Sequence, residues 1–128
     1  IDRAVRNLPE LILGTLGRRP LGVMVARGDL AMELGSVRTA ELQEELLWLC
    51  EAAHVPVIWA TRTLERMARK GVRARPEFSD AVMGVRAECV MLNEGPYLAD
   101  AVTALDRLLG HMQDRQRKRA TRLRALRW

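Results

Sequence analysis

Three short apolar runs recur along the chain at nearly even spacing. They are Gly22–Ala26 (GVMVA), Pro56–Ala60 (PVIWA) and Cys89–Asn93 (CVMLN), so their starts lie about 33 residues apart. Each is too short for a helix and rich in Val, Ile or Met, the composition of strands buried in a parallel sheet. Helical patterns fill the intervals. Leu42, Leu46, Leu49, Cys50 and Ala53 fall on one helix face, with Thr39 as the expected N-cap and Glu41 in the first turn. A second helix is expected from near Thr63 to Gly71, a short one over Asp80–Val85, and a last one with Leu98, Ala101, Val102, Leu105, Leu108, Leu109 and Met112 as its apolar stripe. The order αβαβαβα is that of βαβ units with right-handed crossovers. An open doubly wound sheet and part of an eight-stranded barrel both satisfy it. A complete barrel needs roughly 200–250 residues, and this chain has 128. It begins at Ile1 rather than Met, inside helical-looking sequence (Ala4, Val5, Leu8, Leu11, Ile12), and is expected to lack an N-terminal part.

Composition narrows the function classes. No apolar stretch approaches the ~20 residues of a membrane helix, and no signal peptide opens the chain, so a cytoplasmic protein is expected. Cys50 and Cys89 lie far apart in apolar runs, outside any Cys/His cluster. They read as buried free thiols rather than zinc ligands. The net charge of +5 is concentrated from Asp106 onward, where eight basic residues face two acidic ones. This tail has one aromatic, Trp128, and no recognisable binding motif. It reads as a solvated helix end, not a nucleic-acid surface.

In either architecture ligands gather at the C-terminal ends of the strands. Each run here ends in polar residues: Arg27-Gly28-Asp29, Thr61-Arg62-Thr63 and Asn93-Glu94-Gly95. Gly28 suits a turn or a close backbone approach to a ligand. Asp29 precedes a short helical pattern, Leu30–Leu34, and is either its cap or a hard oxygen ligand for Mg²⁺. Thr61 either caps the next helix or orients a ligand, and Arg62 either pairs with phosphate or faces solvent. His54 falls in the turn before the second run, on the face opposite this rim. No Gly-rich phosphate loop of the Walker type occurs.

The order VMVARGDLAMEL, then AAHVPVIWATRTLERM, then Arg75-Pro76-Glu77, Ser79-Asp80-Ala81-Val82 and Cys89-Val90-Met91-Leu92 resembles the pyruvate kinase family. The match runs from about Leu21 to Leu92; residues 1–20 fit the preceding barrel helix more loosely. The resemblance implies an α/β fold: a partial (β/α)8 TIM barrel, strands six to eight with flanking helices. Residues 1–112 would be the C-terminal part of the barrel and 113–128 a basic C-terminal helix or tail. It implies Mg²⁺-dependent phosphoryl transfer from phosphoenolpyruvate to ADP, giving pyruvate and ATP. Asp29 would be a ligand of Mg²⁺ (or Mn²⁺), and the backbone of Ala26, Arg27, Gly28 and Asp29 would hold the substrate carboxylate. Thr61 would bind substrate and assist proton transfer. K⁺, a homo-oligomer and the absent N-terminal half of the barrel are further partners that the resemblance implies. The Lys and the second metal carboxylate of the family would lie upstream of Ile1, so the 128 residues alone are expected to be inactive.

The departures are specific. Arg62 and Thr63 stand where the family has Gln and Met, the interval from Asp80 to Cys89 is two residues short, and LNEGPYLADA replaces LSGETAKG. Two other readings compete: an aldolase or lyase of the phosphoenolpyruvate/pyruvate barrel group, and a degenerate barrel that acts as a binding module.

Overall fold

The computed structural model describes residues 2–120, with side chains from Arg3 to Gln113. Helices α1 (Asp2–Arg6) and α2 (Leu8–Thr15) precede strand β1 (Val23–Ala26). Helix α3 (Arg27–Ala52) leads to β2 (Val57–Ala60), and short helices α4 (Glu65–Lys70) and α5 (Arg75–Ala81) follow. A 3₁₀ turn (Val82–Arg86), strand β3 (Cys89–Val90) and helix α6 (Leu98–Ala120) complete the order. The three strands form one parallel sheet in the order β1-β2-β3, with Val23 opposite Val57, Ala26 opposite Ala60, and Ile58 opposite Cys89. All three expected strands exist, and β2 is central. The third is shorter than the apolar run that encodes it: only Cys89 and Val90 pair.

The chain divides into two compact units. Among the described residues, one contains 2–62 and 86–91; the other contains 63–85 and 92–120. The first unit holds the sheet. Val25, Val57 and Trp59 share one sheet face and are almost fully buried, as are Leu42, Leu47 and Cys50 of α3. Of the expected helix face, Leu42, Leu46 and Cys50 are buried and Leu49 and Ala53 half-buried; Leu47, outside that face, is buried as well. The opposite sheet face carries Met24, Ile58 and Cys89. Met24 is 54% exposed, and Cys89 is exposed too, so only Cys50 of the two free thiols is buried. Burial pushes the Cys50 thiol up, and the Glu88 carboxylate adds to the shift. The carboxylate of Glu88 also accepts from the Val57 N–H at 2.6 Å, while the Glu88 N–H donates to the Val57 carbonyl at 3.1 Å. One residue thus satisfies both backbone groups of Val57.

Helix α3 breaks at Gly35, whose φ of 77° and ψ of 166° suit glycine alone. The break separates the short helical segment expected after Asp29 from the long one. Thr39 is not the cap of the latter. It is buried four residues past the break, and its hydroxyl donates back to the Gly35 carbonyl at 2.8 Å.

In the second unit, α4 ends as the sequence predicts, with Gly71 in the left-handed region and its N–H donating to the Met67 carbonyl at 2.8 Å. The helix expected over Asp80–Val85 begins earlier, at Arg75, with Pro76 in its first turn; residues 80–85 straddle its end and the 3₁₀ turn. Glu77 reaches back so that its carboxylate accepts from the Arg66 N–H at 2.9 Å, at the start of α4. In α6 the inward residues are Ala101 and Leu105, with Leu108 and Met112 half-buried. Val102 of the expected stripe is 51% exposed. No element boundary falls at residue 112, since α6 continues to Ala120; residues 121–128 of the basic tail lie outside the described part. No described helix is long and apolar enough to cross a membrane.

Gly95 marks the tightest packing in this unit. A Cβ there would collide with the backbone of Ala68, whose carbonyl is held in place by the Tyr97 N–H at 2.9 Å. Gly95→Ala is therefore expected to destabilise the chain by about 2 kcal/mol or more in urea unfolding, since backbone cannot yield as a side chain can. An unchanged midpoint would show that the loop moves freely.

Candidate functional site at the strand ends

The sheet unit brings the first two polar clusters together. Strand β1 runs directly into α3, so Arg27, Gly28 and Asp29 form the first turn of a helix at the C-terminal end of the sheet. Register places Ala26 beside Ala60, which sets Thr61 next to that turn. The Thr61 hydroxyl accepts a hydrogen bond from the Gly28 N–H at 2.8 Å. The helix start would otherwise have an unmet donor there, because its cap residue, Ala26, makes no side-chain bond. Thr61 therefore caps a helix as its residue type suggests, but the helix is α3, 33 residues upstream, and not the one that follows it. Gly28 is not a turn residue. It is helical, and a Cβ there would lie 3.4 Å from the Thr61 hydroxyl, an ordinary van der Waals contact.

The Arg27 side chain turns inward. Its Nε donates to the Ala60 carbonyl at 3.1 Å and its Nη2 to the Thr61 carbonyl at 2.7 Å. The guanidinium lies 4.5 Å from the ring centre of Trp59, and Arg27 is only 9% exposed. The buried Trp59 indole N–H has no hydrogen-bond partner among the described residues. This clamp was not legible in the local sequence, where Arg27 read only as one of four backbone positions. Seeing it requires the register that places Val25 beside Trp59.

Beyond the clamp the backbone is strained. Thr61 (φ 65°), Arg62 (φ 58°) and Leu64 (φ 49°) all adopt left-handed conformations, which is costly for a β-branched threonine. One bond from Arg27 and one from Gly28 hold Thr61 there, and a second Arg27 bond holds the adjacent Ala60 carbonyl. Strain of this kind gathers where a side chain must be aimed. Arg62 is exposed. Asp29 is exposed as well, and its carboxylate makes no hydrogen bond or ion pair with the described residues. It stands in the first turn of α3, where the helix dipole favours a negative charge, and it is not the N-cap. His54 lies at the other ends of the strands, in the turn that enters β2. The third cluster, Asn93-Glu94-Gly95, belongs to the second unit and starts three residues after β3 ends.

Mg²⁺ prefers oxygen ligands and commonly takes one or two carboxylates, with waters and substrate phosphates completing its shell. Among the described residues no group of three or more His, Cys, Asp or Glu side chains converges. The exposed, uncommitted Asp29 carboxylate fits one protein ligand of such an ion, not a whole cage.

A parallel βα unit with a helix start and a strained polar loop at the strand ends is the architecture of barrel and open-sheet enzymes. Comparison narrows this class. The family description "Pyruvate kinase, barrel domain" matches residues 2–102, and the chain belongs to the pyruvate kinase family. The plastidial pyruvate kinase 3 of Arabidopsis thaliana is 40% identical over 92 residues, covering 70% of this chain and 15% of that protein. A pyruvate kinase of Lachancea kluyveri is 41% identical over 110 residues, covering 81% and 21%. The crystal structure of a pyruvate kinase from Cryptosporidium parvum superposes with a TM-score of 0.78 at 28% identity, over 88% of this chain and 23% of that one. The chain thus spans about a fifth of the length of these relatives.

The clamp makes a direct prediction. Arg27→Met leaves the Ala60 and Thr61 carbonyls without these donors and should cost about 3 kcal/mol in urea unfolding. Arg27→Lys keeps a charge but not the forked geometry and should recover only part of the loss. Equal stability of all three proteins would show that the clamp contributes nothing.

Proposed function

We propose that this chain is the part of a pyruvate kinase barrel that carries one side of the active site, and that β1, β2 and β3 are its sixth, seventh and eighth strands. The reaction is phosphoryl transfer from phosphoenolpyruvate to ADP. The observation that carries this reading is the Gly28 N–H to Thr61 hydroxyl bond, which unites Arg27-Gly28-Asp29 and Thr61 on one rim in a chain of this family. The substrate carboxylate is received by backbone N–H groups over Ala26–Asp29, at the positive end of α3. The Gly28 N–H is already met by Thr61, so a substrate carboxylate shares that donor or displaces the hydroxyl. In either case the Thr61 hydroxyl adjoins the bound substrate, where it assists proton transfer at the enol carbon.

Asp29 holds Mg²⁺ (or Mn²⁺). When bound, the ion neutralises charge developing on the enolate and the transferring phosphoryl group. K⁺, a homo-oligomeric state and a cytoplasmic location belong to the same reading, and no residue of this chain is assigned to K⁺. The Lys and the second carboxylate of the site come from another part of the barrel, so these 128 residues are inactive alone. Family membership favours phosphoryl transfer over the aldolase or lyase alternative.

The test is pyruvate formation from phosphoenolpyruvate and ADP by a complete barrel that contains this segment. Turnover should require Mg²⁺, and Asp29→Asn should lower kcat by roughly 10²-fold or more. An unchanged kcat removes Asp29 from the metal site. No turnover in the complete barrel favours the binding-module reading.

A further inference from the structure

The helical unit contains a groove of about 270 Å³, and it shares no residue with the strand-end rim. Arg73 and Arg107 line it, and neither guanidinium has an ion-pair or hydrogen-bond partner among the described residues. Two guanidinium groups left unpaired over one groove are a ready site for a carboxylate or phosphate, which arginine binds through parallel N–H donors. The groove also has an apolar lining: Phe78, the chain's single phenylalanine, with Ala104 and Leu108 of α6. All three are half-buried, so each keeps surface for a ligand to cover.

Charge selects among anions. Asp100 lines the same groove and is also without a partner. Arg73 and Arg107 against Asp100 leave one net positive charge, which suits a monoanion better than a dianion. The volume lies just below the usual range for pockets that take drug-sized ligands, so the occupant is a small one. We propose that this groove binds a compact aromatic carboxylate, its carboxylate between Arg73 and Arg107 and its ring against Phe78, Ala104 and Leu108.

Benzoate is the probe, titrated into the full chain at low salt and followed by amide NMR. Saturable shifts centred on Phe78, Ala104 and Arg107 are expected, with a Kd on the order of 1 mM for a ligand of this size. Benzyl alcohol, the neutral counterpart, should bind at least tenfold more weakly. Arg73→Gln and Arg107→Gln should each raise the benzoate Kd about tenfold. Both arginines are exposed, and unchanged amide positions elsewhere in each variant verify that the fold is intact. Equal binding of benzyl alcohol, or a benzoate Kd untouched by both substitutions, overturns the proposal. Phenyl phosphate binding more tightly than benzoate overturns the monoanion assignment and makes the site one for phosphate monoesters.

Discussion

The Arg27 guanidinium fastens the end of one strand to the end of the next. It bonds the carbonyls of Ala60 and Thr61 and lies against Trp59, almost wholly out of water. Burying this cation is costly unless its donors are met, and the carbonyls of Ala60, the last residue of β2, and of Thr61 just beyond it accept from them. The same contact fixes Thr61 in a left-handed conformation that a β-branched residue resists. With Thr61 so held, its hydroxyl meets the Gly28 N–H and completes the start of α3. The arrangement of the strand-end rim and the start of α3 therefore rest on one set of bonds.

That arrangement also explains how so few residues define a rim. Two neighbouring strands in register bring their end loops within hydrogen-bond range without any long connection between them. Helix α3 begins at once after β1, so its first-turn N–H groups face the strand ends instead of being used up by a loop. Asp29 stands in that same turn without capping it, because Thr61 from the end of the next strand meets the Gly28 N–H. The opposite end of the sheet is closed differently: Glu88 satisfies both backbone groups of Val57, and His54 turns the chain into β2.

Strand positions and helix order were legible because period and spacing are global properties of the sequence. The αL glycine at Gly71 was legible because it is local. Helix starts were less so. Thr39 has the right residue type for a cap, yet the true break is at Gly35, where only backbone angles reveal it. The stripe of α6 holds at Ala101 and Leu105, which are buried, and fails at Leu98 and Val102, which are exposed. At the candidate site, the motif order singled out Asp29 and Thr61, and the structure sets the Thr61 hydroxyl against the Gly28 N–H; the Arg27 clamp stayed hidden, since it joins residues 33 and 34 positions apart and depends on register. Cys89 sits in an apolar run and is nonetheless exposed, because the sheet face it shares with Met24 is the less buried one.

The central claim is that the Thr61 hydroxyl completes the first turn of α3 and so joins both halves of the rim. Amide hydrogen exchange at Gly28 reads this bond directly. Thr61→Val removes the acceptor at nearly constant volume. The account predicts that Gly28 exchange accelerates by roughly tenfold or more, while amides deep in α3, such as Leu46, keep their protection. Gly28 exchange that is equally slow in both proteins would contradict it.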